Sequence, residues 1–134
     1  MVYAVIDTNI FVSSFITKNY LASTRRVVNS FFEGLIKLLY NEEILEEYSK
    51  VLHRPKFHLA DVDIAELIHF IRTHGIDSDR FPYDGDMSDE DDRVFYEVSL
   101  SMDDSFLVTG NLKHFPHTPK VVTAAEMMEI LDNE

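Results

Sequence analysis

Asp7 closes the apolar run Val2, Ala4, Val5 and Ile6, so a carboxylate stands at the end of what reads as a buried strand. An ionised carboxylate is costly there unless a cation or hydrogen-bond donors meet it. A second apolar run, "SFLVTGN" at 105–111, also leaves into polar residues, and the acidic stretch "DGDMSDEDD" at 84–92 leads into a helical pattern beginning near Asp92. If the two strands run parallel and close together, Asp7 and Asn111 share one rim, with the acids near Asp92 beside them. Acids that converge without basic neighbours need protons or a hard cation, and oxygen donors of this kind suit Mg2+ or Mn2+. One such ion, or two about 3.5 to 4 Å apart, can activate water and stabilise a leaving oxygen in phosphodiester hydrolysis.

A further acid comes from "NEEILEEYSKVLHR" at 41–54. At 100° per residue from Ile44, the apolar residues Ile44, Leu45, Tyr48, Val51 and Leu52 centre near about 30°, with Glu47 at about 300° and Glu46 at about 200°. Glu47 therefore borders the buried face and is the candidate site residue, while Glu46 points to water. Asp89 or Ser88 can cap the helix near Asp92, Asp91 suits the positive end of its dipole, and Asp92 begins a pattern whose buried face holds Val94, Phe95, Val98 and Met102. Capping accounts for one or two of these acids, not for all. Thr8 and Asn9 either cap the helix after the first strand or hold Asp7 in orientation by hydrogen bonds. Thr109 and Gly110 read as a tight turn, and Asp103 and Asp104 as turn residues. The six histidines show no zinc spacing, and His69 and His74 read as packing or surface residues.

The elements that must position these residues alternate in type. Residues 2–6 predict a strand, "STRRVVNSFFE" at 23–33 a helix stopped by Gly34, and "LIKLLY" at 35–40 a second strand. Asn41 is the expected N-cap of a helix that ends before Pro55, and "DIAELIHFIRTH" at 63–74 predicts another that closes at Gly75. "DDRVFYEVSLSM" at 91–102 reads as a helix, 105–111 as a buried strand ending in turn residues, "KVVT" at 120–123 as a short strand, and Thr123 with Glu126 as the capping box of a last helix, "AAEMMEIL". Strands separated by helices imply crossover connections, hence an α/β fold with a parallel sheet covered on both faces and a site at the strands' carboxyl ends.

Totals bound the reading. A length of 134 residues, 46% of them apolar, predicts one domain over 1–134 with a sizeable core. There is no cysteine, so disulfides, thiolate zinc sites and a cysteine nucleophile are excluded. No apolar run reaches the roughly 18 residues of a membrane span and no basic leader precedes an apolar segment, so a cytoplasmic protein without membrane attachment is expected. The net charge of -12 repels nucleic-acid phosphates unless cations or a local basic patch intervene, which counts against a plain nucleic-acid-binding module.

Three blocks, "VIDTNIFVSSFI", "NEEILEEYSKVLHRPKF" and "DEDDRVFYEVSLSMDDSFLVTGNLKHF", resemble in their order the PIN-domain proteins, particularly the toxin branch of toxin-antitoxin systems. The resemblance implies a three-layer α/β/α sandwich with a central parallel sheet and a VapC-like endoribonuclease dependent on Mg2+ or Mn2+. It puts the family's first acid on Asp7, its helical Glu on Glu47 and its third acid on Asp92 as metal ligands. The fourth catalytic position, often Asp, is Asn111 here, which keeps an oxygen donor but loses a charge; a one-metal site or lower activity follows as an expectation, and Asp91 or Asp89 are the candidates to compensate. An RNA substrate, a small antitoxin that covers the site and a homodimer are likewise implied. Lys18, Arg25, Arg26, Lys50, Arg54 and Lys56 are the obvious basic clusters for the RNA backbone. A PIN-like domain that has lost catalysis and acts through protein contacts is the rival reading. A phosphate-accepting receiver domain is a weaker third, because its paired acids directly before the acceptor strand have no counterpart here.

Overall fold

Val2, Ala4, Val5 and Ile6 are almost fully excluded from solvent, as a strand with helices on either side requires. In the computed structural model, which describes residues 1–134, they form β1 (Val2–Ile6), followed by α1 (Thr8–Ile16), α2 (Ser23–Phe32), β2 (Ile36–Tyr40), α3 (Glu42–Leu52) and α4 (Asp61–His74). The chain continues through β3 (Ile76–Asp77), α5 (Arg93–Ser99), β4 (Phe106–Val108), β5 (Val121–Val122) and α6 (Ala124–Asp132). Short 3-10 turns cover Pro55–Phe57, Glu90–Asp92 and Leu112–His114.

The five strands make one all-parallel sheet in the order β3-β2-β1-β4-β5. From β1 the chain steps one way to β2 and β3, then returns to the other side of β1 for β4 and β5. Right-handed crossovers therefore put α1 to α4 on one face and α5 on the other, an α/β/α sandwich. Ring contacts knit the first face: Phe11 of α1 lies 5.0 Å from Tyr48 of α3, and Phe31 of α2 lies 5.3 Å from Phe70 of α4. On the other face α5 packs on β1, β2 and β4, whereas α6 packs on α2 of the first face.

Local signals set most boundaries. Asn41 Oδ1 accepts from the Ile44 amide at 2.9 Å, and Thr123 with Glu126 completes a reciprocal capping box. Gly34 takes φ +85 in the turn before β2. A Cβ on Gly75 would stand 2.9 Å from the Leu38 carbonyl, so only glycine lets the end of α4 come so close to β2.

The structure adds one strand and shortens one helix. Strand β3 has two residues and no apolar run to announce it. The helix read at 91–102 is α5 alone, because Glu90–Asp92 winds as a 3-10 turn and, past Tyr96, the hydroxyls of Ser99 and Ser101 hydrogen-bond back to the carbonyls of Tyr96 and Val98. The strand within 105–111 ends at Val108, and the turn residues Thr109, Gly110 and Asn111 follow it as expected. No helix is long and apolar enough to cross a membrane.

Candidate metal and nuclease centre

Register alone brings the first two groups together. Ile6 of β1 pairs with Val108 of β4, and the Asp7 amide donates to the Val108 carbonyl at 2.9 Å, so Asp7 and Thr109 sit side by side one step beyond the paired ends. This is the point where the strand order reverses direction, the position at which open parallel sheets form a crevice. Thr109, fully buried, donates from Oγ1 to Asp7 Oδ2 at 2.7 Å and accepts from the Asn111 amide at 3.0 Å.

Asp7 is only 6% exposed. Burial pushes its carboxyl from an ordinary 3.8 up to about 6; the Thr109 hydroxyl and the Thr8 amide favour the charged form, while the nearby Asp92 charge opposes it. Thr8 and Asn9 do not cap α1, because Asp7 itself holds the N-cap position and its side chain is engaged by Thr109 instead. The Thr8 hydroxyl does not hold Asp7 either: it is buried with no hydrogen-bond partner. Asn9 Oδ1 accepts from the Gly110 amide at 3.4 Å, tying the first turn of α1 to the turn after β4.

Asp92 arrives from the opposite side. Asp89 Oδ1 accepts from the Asp91 amide at 3.0 Å and so caps the 3-10 turn, while Arg93 grips Glu90 through two 2.8 Å bonds and donates to the Tyr83 carbonyl. These contacts free Asp92, whose own side chain caps nothing, to face His114 Nδ1 at 3.2 Å. Burial raises the Asp92 carboxyl, Asp89 adds to the rise, and the bond to His114 counters it. Zinc spacing among the histidines does not single out His114 in the sequence. The signal available was its place five residues after Thr109, in the segment that leaves a strand end.

The remaining candidates lie around this pair. Glu47 is half-buried where Glu46 is exposed, and both line a cleft of about 350 Å³ with Glu43, Lys50, Arg80, Glu90 and Asp91. Asn111 is exposed, with no hydrogen bond from its side chain. No three Asp, Glu or His side chains are grouped to hold a metal ion; Asp7 and Asp92 are near enough for their charges to oppose each other, and Glu47 lines a cleft that also holds Lys50 and Arg80. The pair nevertheless fits a hard dication in its donor chemistry. Magnesium keeps most of its waters and needs only one or two carboxylates. Asp7 and Asp92 repel each other without any Lys or Arg paired to them, and the hydroxyl of Thr8, the next residue in the chain after Asp7, is buried without a partner.

A family model described as a PIN domain matches residues 3–113. No curated protein and no solved structure matches the chain.

Proposed function

The chain belongs to the PIN-domain family, generally nucleases, and from that premise we propose that it is an endoribonuclease dependent on Mg2+ or Mn2+, held by Asp7 and Asp92. The observation that carries this reading is a nearly buried carboxylate close to a second one at the switch point of the sheet, with no Lys or Arg paired to either and only His114 in contact with Asp92. When bound, such an ion supplies a Lewis acid for the phosphodiester and an activated water as nucleophile. The chain's own part is to fix the oxygens. Thr109 orients Asp7, His114 contacts Asp92, and Asn9 braces the turn between them. Glu47 and Asn111 are in this reading the further oxygen donors to the ion or its waters.

The finer role, a toxin countered by a small antitoxin, rests on the resemblance of the three sequence blocks. In its favour is an apolar groove of about 510 Å³ lined by Phe15, Phe32, Leu59, Ile64, Leu67 and Phe70, a surface that a partner or a second copy would cover. The rival reading, a PIN-like interaction domain with weak or no catalysis, draws on the lack of a third metal-binding side chain and on Asn111. Calorimetric titration with Mg2+ and Mn2+, followed by cleavage of an RNA panel with and without chelator, separates the two. Binding and chelator-sensitive cleavage are expected; no binding up to several millimolar would favour the interaction domain.

A further inference from the structure

One short segment touches both carboxylates. Thr109 at its start donates to Asp7 Oδ2 at 2.7 Å, and His114 at its end meets Asp92 Oδ2 at 3.2 Å. Between them the backbone is set by its own bonds: the Asn111 amide to Thr109 Oγ1, the His114 amide to the Asn111 carbonyl and the Phe115 amide to the Leu112 carbonyl. Buried Phe115 plugs the end of the turn into the core.

The imidazole is not there for packing, since its side chain is 45% exposed while Asp92 beneath it is 18% exposed. An ionised carboxylate only accepts, so this contact requires the proton on Nδ1 and leaves Nε2 without a protein partner. Such a donor orients one oxygen, as the outer partners of metal ligands do. A Lys or Arg at the same place would add a fixed cation that competes with the metal.

We propose that His114 is a positioning residue, which holds Asp92 Oδ2 so that the other oxygen faces Asp7, and that Thr109–His114 acts as one brace fixing the separation of the two carboxylates. The proposal rests on the metal-dependent reading above and extends it to how the seat is kept in shape before metal arrives.

The test is Mn2+ affinity, measured by calorimetry or electron paramagnetic resonance, in wild type, His114→Ala, His114→Asn, Asp92→Asn and the double variant His114→Ala with Asp92→Asn. His114→Ala is expected to weaken binding about tenfold, the scale typical of lost outer contacts. His114→Asn, which keeps a donor near the Nδ1 position, should recover most of that loss. In the Asp92→Asn background the same alanine should cost little, because its effect runs through Asp92. Thermal melts of the metal-free variants check that all are folded. If wild type binds Mn2+ and His114→Ala binds equally well, or loses the same factor in both backgrounds, the brace is wrong and the nuclease reading stands. If folded wild type binds no Mn2+, both fall together.

Discussion

Asp7 meets one hydroxyl and one amide where a solvated carboxylate meets several waters, and a second acid lies opposite. The arrangement costs folding energy for as long as the carboxyl is ionised. Its sign follows from the shift, from 3.8 to about 6. Between these values the folded protein retains a proton that the unfolded chain has released, so stability falls as pH rises through that window and the cost persists above it. In chelator-treated protein at pH 8, Asp7→Asn should therefore raise stability by up to about 3 kcal/mol. Denaturant unfolding across pH 4 to 8 should show the gain shrinking below about pH 6; a difference that stays flat would contradict it. The need of Asp7 for a partner was legible in the sequence, because an acid ending a buried strand is rare without cause. That the nearest partner is Thr109 was not, since it depends on which strand lies beside β1.

Among the elements, α3 and β1 are joined at the site by Tyr48, whose buried hydroxyl donates to the Ile6 carbonyl, one residue before Asp7. Tyr48→Phe keeps the ring and strands that carbonyl, and should cost about 1 to 3 kcal/mol by urea unfolding, the penalty of an unsatisfied buried group. A change within measurement error would mean that α3 is not anchored there. Helical periodicity sorted Glu47 from Glu46 correctly by exposure, and the caps at Asn41 and Thr123 were written in their side chains. Periodicity could not say how far Glu47 stands from Asp7, because that distance is set by helix packing. Nor could it find β3, whose two residues are held by pairing with β2 rather than by any pattern of their own. The shortened α5 follows from serine hydroxyls taking backbone carbonyls, a competition that is visible only once the turn is seen.

At the scale of the whole molecule, a chain of net charge -12 places two acids with no Lys or Arg paired to them at the reversal point of a parallel sheet. A polyanionic substrate reaches such a place with the help of dications, so metal binding and substrate approach are expected to be coupled. The alternation of strands and helices foretold the parallel sheet; the strand order, which creates the crevice, lies in long-range pairing that no local segment encodes. The most direct measurement is the cleavage rate of a labelled single-stranded RNA in Mn2+, for wild type and Asp7→Asn prepared identically and shown to be folded. A loss of at least about 100-fold is expected in the variant, more than an outer contact alone would give. Equal rates would contradict it, and would remove Asp7 from the chemistry.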